Sequence, residues 1–195
     1  MNPEEYRKLR ELEQEHWFYA GKREIVRHWI NHFAPLTPEA TLVDCGAGTG
    51  SFAVEMHGRC RVLAVDDHQQ SLEILRRVLP PEHVREGSAL ALPVPDASVD
   101  CLTALDVLEH VEQDEAAIRE FARVQKPGGI GVITVPALPA LWSDWDVALH
   151  HFRRYRKQHL IRVLAQPGFR LEHCHYLNVA ALPAIYLARK IRAWT

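Results

Sequence analysis

Leu42-Val43-Asp44-Cys45-Gly46-Ala47-Gly48-Thr49-Gly50 decides how this 195-residue chain is read. An apolar run ends on a carboxylate, glycines follow at every second position, and Phe52-Ala53-Val54-Glu55-Met56 then has helical character. Glycine reaches backbone angles that a Cβ forbids. It also lets a cofactor lie directly against the main chain. A helix that starts here turns its free amides toward whatever binds. The stretch predicts a nucleotide-type cofactor loop at the end of a first strand, Thr41–Cys45.

Outward from the loop, the pattern repeats. Arg61–Asp66 reads as a buried second strand ending on an acid, and Leu72, Leu75 and Leu79 mark the helix after it, stopped by Pro80-Pro81. A short third strand is expected at 83–87, a fourth at Val99–Leu105 and a fifth at 130–135, with a helix over 112–124 between the last two. Strands alternating with helices imply parallel βαβ units, so the fold class is α/β: a Rossmann-like, doubly wound, mostly parallel sheet flanked by helices. Upstream, 3–15 favours helix and 22–33 carries apolar residues at helical spacing, with Gly21 between them. Downstream, 169–176 alternates enough to predict a sixth strand, and nothing later resembles a seventh. The chain either stops short of that strand or packs a final helix in its place. The organisation expected is one domain over 1–195: a helical N-terminal lid over 1–36, a cofactor-binding core over 40–136, and an acceptor-side segment with a C-terminal helix over 137–195.

The glycine spacing discriminates between cofactors. Read as the dinucleotide fingerprint G-x-G-x-x-G, the third glycine position falls on Ser51 and Gly50 has no role. Read as D-x-G-x-G-x-G, Asp44, Gly46, Gly48 and Gly50 all fit. This pattern resembles motif I of the class I S-adenosylmethionine (SAM) dependent methyltransferases. Three further segments resemble the same family in order: 87–100, which packs on adenine in those enzymes; Leu105-Asp106-Val107-Leu108-Glu109-His110-Val111 after strand four; and Lys126-Pro127-Gly128-Gly129 entering strand five.

The resemblance implies roles position by position. Gly46, Ala47, Gly48 and Gly50 would line methionine and ribose. Asp44 would reach the methionine ammonium. Asp66, with Asp67 beside it, would hold the ribose hydroxyls, although a carboxylate there can equally cap the following helix. Ser88, Ala89 and Leu90 would face adenine; many relatives have Asp where this chain has Ser88, which weakens the contact expected to the adenine amino group. Asp106 and Leu108 would border the transferred methyl. Trp17 and Arg23, in the lid, would face the sulfonium and pair with the methionine carboxylate.

SAM carries a methyl already activated on sulfonium, so no catalytic triad is needed. A base is required only where the acceptor must lose a proton. His151 is the candidate base, because an imidazole is partly neutral near neutral pH; His110 is a second. The stretch after strand five supplies candidate acceptor contacts: Trp142 and Trp145 as an apolar wall, His150 and Tyr155 as polar groups, and Arg153 and Arg154 as grips for a carboxylate or phosphate. The H-x-R-R-Y segment at 151–155 is similar to one in a group of bacterial small-molecule methyltransferases. Asp106, Glu109 and His110 have the D-x-x-E-H spacing of a metal-assisted O-methyltransferase variant, but Glu109 and His110 can as well orient the next helix, and the reading requires no metal.

Composition sets the remaining bounds. Lys and Arg total 23 against 25 Asp and Glu, so there is no global electrostatic footprint for nucleic acid. The four cysteines are too scattered for a disulfide framework or zinc site. Residues 1–15 are charged throughout, unlike a signal peptide, and no apolar run is long enough to span a membrane. The expectation is a cytoplasmic enzyme that methylates an O or N atom of a small molecule. The apolar tail after Tyr176 is a helix suited to a second subunit or a membrane surface. A non-catalytic SAM-binding module and an NAD(P)-dependent oxidoreductase are the rival readings.

Overall fold

A computed structural model describes residue 13, residues 16–165, residues 168–183 and residue 186. Helix α1 spans Trp17–Phe33 and is capped by His16, whose ring nitrogen accepts from Phe18 N at 3.3 Å. Gly21 was expected to separate two helices but lies inside this one, with its Cα facing open space. The central run is β1 (Thr41–Cys45), α2 (Ser51–Met56), β2 (Arg61–Asp66), α3 (Gln69–Val78), β3 (Val84–Glu86), β4 (Val99–Leu105), α4 (Asp114–Val124) and β5 (Gln125–Thr134). Two short helices follow, α5 (Asp144–Ala148) and α6 (Lys157–Leu164).

The five strands form one parallel sheet in the order β3-β2-β1-β4-β5. Successive side chains on a strand point to opposite faces, and here both faces are covered, which is why the strands read as continuous apolar runs. Val43 and Val65 pack on one side with Leu102, Phe121 and Val163. Leu42 and Val62 pack on the other with Val26, Ile30, Phe52, Leu72 and Leu75. Chain order reverses between β1 and β4, and that reversal opens a crevice at the carboxyl ends of the strands. The glycine loop, Ser88 and Asp106 follow strands at this edge, and Asp66 ends one.

Two expectations need correction. The fifth strand begins at Gln125 rather than 130, because the pairing with β4 shifts at Asp100 and lets the turn residues join the ladder. Residues 169–176 form no strand: they are irregular, and side chains rather than a hydrogen-bond ladder hold them. Trp29 of α1 stacks on His173 with ring centres 4.5 Å apart and touches His175 at 5.6 Å. Among the described residues no strand follows β5, and no helix is long and apolar enough to cross a membrane. Most of the expected C-terminal helix and of the helix over 3–15 lies outside the described residues. All four cysteines are free thiols, and burial pushes those of Cys45 and Cys101 far up.

Candidate functional site

The loop after β1 is built from its own backbone. Gly46 N and Ala47 N donate to Val65 O at 2.8 and 3.1 Å, and Gly50 N closes the turn on Ala47 O at 2.8 Å. Gly46 has φ +67°, and a Cβ there would sit 2.6 Å from Val107 Cγ2, so both conformation and space demand glycine. Gly48 has φ +56°, yet a Cβ on it would meet only Gly46 O, 4.0 Å away. The space above Gly48 is open, as a cofactor lying on this loop requires.

Two carboxylates sit beneath and beside the loop. Asp44 is 3% exposed and accepts from Thr103 Oγ1 at 2.7 Å. Asp66 accepts Gly48 N at 2.8 Å through Oδ2 and His68 N at 3.0 Å through Oδ1. Each carboxylate oxygen has two lone pairs, so Asp66 keeps capacity for ribose hydroxyls while it also organises the start of α3. Asp67 is exposed and engages the His68 ring. Ser88, Ala89 and Leu90 line the same cleft after β3; Ala89 is buried and Leu90 half exposed.

Helix α1 closes the cleft with residues other than those expected. Phe18, Tyr19 and Lys22 face inward, and the Lys22 ammonium pairs with Asp106. Trp17 points to solvent at 64% exposure. Arg23 is turned away to Glu55 of α2, Nε to Oε1 at 2.6 Å, and to the Glu13 carbonyl at 2.7 Å. The Glu13 carboxylate reaches the glycine loop, accepting from Thr49 and from Ser51 Oγ. Helical phase could have found this: Phe18, Lys22, Ile25 and Trp29 share a face at spacings of three and four.

The segment after β4 and the segment after β5 meet across the other half of the cleft. Asp106 has φ +57° and is clasped by Thr134, whose hydroxyl donates to Oδ1 at 3.0 Å. Leu108, expected beside the methyl, is fully buried in the core. Phe152 N donates to Glu109 O at 2.7 Å, which brings the His110 and His151 rings to 4.7 Å, nearly perpendicular. His151 Nδ1 lies 3.0 Å from Asp146 Oδ1, and Arg154 Nε donates to the same oxygen at 2.6 Å. Burial pushes the Asp146 carboxyl up, but hydrogen bonds from Arg154, His151 and Ser143 N outweigh it and hold it below the usual range. Crowding around the His110 ring, and then the His151 imidazole, lower its pKa to about 4, although one side of the ring meets solvent. The Glu109 carboxyl is pushed well up by burial and by Asp106.

Of the expected acceptor contacts, some lie outside the cleft and others are engaged within the fold. Trp142 and Trp145 lie outside the cleft, 43% and 63% exposed. Tyr155 is 1% exposed, with its hydroxyl 2.8 Å from Asp114 Oδ2 and 3.2 Å from Leu108 O, so burial and Asp114 raise its pKa. Arg153 is consumed by Asp114 at 2.7 Å and by Glu112 O at 2.7 Å. Arg154 is held by Asp146 and Ala137 O. Both guanidinium groups are thus tied to the fold through two of their nitrogens. His150, His151 and Phe152 line the cleft, and so do Arg154 and Tyr155 with whatever of their surface is not engaged. Sequence reasoning missed Lys22, Glu13, Thr103 and Asp146, whose roles depend on partners 5 to 84 positions away.

Comparison with known proteins agrees with this fold. Residues 43–133 match the family model described as a methyltransferase domain. A Mycolicibacterium smegmatis protein described as a probable S-adenosylmethionine-dependent methyltransferase is 28% identical over 162 residues, covering 82% of this chain and 62% of that one. A ubiquinone/menaquinone biosynthesis C-methyltransferase of Rubrivivax gelatinosus is 34% identical over 60% of this chain and 49% of its own length. The crystal structure of geranyl diphosphate C-methyltransferase from Streptomyces coelicolor A3(2) superposes with TM-score 0.69 at 18% identity, covering 88% of this chain and 74% of that one. Residues 43–133 are thus similar to a methyltransferase domain, and the sheet and glycine loop are arranged as in class I SAM-dependent methyltransferases. The chain spans about half the length of the curated relatives it matches.

Proposed function

We propose that the chain moves the methyl group of S-adenosyl-L-methionine to an oxygen or nitrogen atom of a small-molecule acceptor, releasing S-adenosyl-L-homocysteine. The observation that carries this reading is the continuity of a single cleft. It runs from Gly46, Gly48, Asp66 and Ser88 on one side to Asp106, His110, His151 and Phe152 on the other. The cofactor supplies a methyl activated on sulfonium. The chain's task is alignment and exclusion of water, which is largely proximity.

In this reading Gly46, Ala47, Gly48 and Gly50 border methionine and ribose, Asp44 meets the ammonium directly or through water, and Asp66 accepts the ribose hydroxyls. Ser88, Ala89 and Leu90 face adenine. Lys22 takes the place first given to Arg23, since it is the cation on α1 that faces the cleft. His151, its Nδ1 held by Asp146, presents Nε2 to a proton of the acceptor. Phe152, 54% exposed, offers apolar contact beside it.

Isothermal titration with SAM, S-adenosylhomocysteine and NAD tests the cofactor. The first two should bind and NAD should not; binding of NAD without response to SAM overturns the reading. A screen of metabolites with isotopically labelled methyl tests the acceptor, and label found only on carbon or on protein overturns that part. Replacing His151 with Ala should slow turnover by about 10²-fold or more while SAM affinity holds; unchanged turnover removes His151 from the mechanism.

A further inference from the structure

We propose that Glu109, His110 and His151 form a binding site for one divalent transition-metal ion at the acceptor end of the cleft. One carboxylate oxygen and one nitrogen from each ring lie within 4.8 Å of one another. Three donors around a bound ion stand about 3 Å apart, with metal–nitrogen bonds of about 2.0–2.1 Å. The cluster therefore needs only a modest contraction of two loops. Those loops are already fastened by the hydrogen bond from Phe152 N to Glu109 O. Perpendicular rings with centres 4.7 Å apart suit two imidazoles aimed at one point.

A second observation is independent of this spacing. Glu109 is 1% exposed, and its Oε2 has no hydrogen-bond partner. A buried carboxylate oxygen without a partner is costly, and either a proton or a bound cation relieves it. Asp106, the other carboxylate in reach by sequence, is already engaged by Lys22 and Thr134. It does not belong to the set.

His151 is prepared for the role as metal-binding histidines usually are. Its Nδ1 is bonded to the buried Asp146 carboxylate, which fixes the ring and leaves Nε2 as the ligating nitrogen. The partly exposed His110 ring gives an ion a path in from solvent. Two imidazoles and one carboxylate favour Zn²⁺, Fe²⁺ or Co²⁺ over Mg²⁺ or Ca²⁺, which prefer all-oxygen shells. Three protein ligands also leave a coordination position open, as in catalytic sites.

The ion's role rests on the methyl-transfer reading; its binding does not. An acceptor hydroxyl in the open position would lose its proton to water. The resulting oxyanion would form the new carbon–oxygen bond as the methyl–sulfur bond breaks, and the bonding pair would return to sulfur as a neutral thioether. In the loaded chain His151 is then a ligand, and its proton-accepting role belongs to the metal-free chain.

The test uses the whole chain without an affinity tag, stripped by chelator and titrated with Co²⁺, with and without S-adenosylhomocysteine. Visible absorption and calorimetry should report one ion per chain in a nitrogen-containing site. Glu109→Gln and His151→Ala should each weaken Co²⁺ binding by about 10-fold or more, with S-adenosylhomocysteine affinity unchanged. Zn²⁺ should displace Co²⁺ and Mg²⁺ should not. The site is overturned if the wild-type chain binds no stoichiometric Co²⁺, if neither variant weakens it, or if Mg²⁺ alone displaces it. Should Glu109→Gln fail to fold, the wild-type spectrum and His151→Ala decide. Co²⁺ binding without S-adenosylhomocysteine binding would remove the methyl-transfer reading and keep the ion site; the converse would remove the site alone.

Discussion

Asp44 shows how one buried acid can be tuned by its neighbours. Burial drives its pKa up to about 7; the Thr103 hydroxyl opposes this, and Asp66 and Glu13 reinforce it. The folded chain without cofactor thus holds a proton that the unfolded chain has already released. Stability should fall as pH rises from about 4 to about 7 and level off above that. Asp44→Asn should flatten this slope and, above pH 7, stabilise the cofactor-free chain by about 1–3 kcal/mol. Urea melts at a series of pH values measure both. The same variant should lose SAM affinity, because a neutral amide attracts an ammonium less than a carboxylate does. Tyr155 offers a contrasting case. Its hydroxyl is spent on Asp114 and Leu108 O, so Tyr155→Phe should cost about 1–2 kcal/mol of stability and leave the acceptor KM alone. A shifted KM at unchanged stability would return Tyr155 to the acceptor pocket.

Helix α1 separates what sequence could give from what it could not. Its apolar positions fixed its existence, and Val26 and Ile30 do pack into the core against Ile130 and Val132. Which of two adjacent cations faces the cleft depends on helical phase, and the resemblance pointed to Arg23. In the folded chain Arg23 joins α1 to Glu55 of α2, whereas Lys22 spans the cleft to Asp106. Arg23→Ala should therefore lower stability with modest change in SAM affinity, and Lys22→Ala should do the reverse; calorimetry and thermal melts on both variants separate the outcomes. Strands β1, β2 and β4 were legible to the residue because each is a buried apolar run bounded by an acid, a glycine or a proline. Residues 169–176 misled because alternation alone does not supply a hydrogen-bonding neighbour, and Trp29 supplied a side-chain one instead. The acceptor-side residues were the least legible. Asp146 governs both His151 and Arg154, yet nothing in its immediate sequence marks it as buried.

Across the whole molecule, one sheet edge gathers every loop that the methyl-transfer reading uses. The order β3-β2-β1-β4-β5 sets the glycine loop at its centre, with the ribose and adenine side toward β3 and the acceptor side toward β5. That layout is a consequence of connection handedness and short loops, so it was predictable once five strands were recognised. The cleft has a roof of different character. Helix α1 covers it through Phe18, Tyr19 and the Lys22–Asp106 ion pair, and the Asp106 side chain retains 40% exposure to water. An electrostatic latch of this kind is weakened by dissolved ions. If spent cofactor leaves beneath α1, its departure should quicken as sodium chloride is raised from low to moderate concentration, and Lys22→Ala should be fast and indifferent to salt. Stopped-flow displacement of a fluorescent S-adenosylhomocysteine analogue would read both rates. The tempo of turnover would then be written in the ionic strength of the surrounding medium as much as in the chemistry beneath the helix.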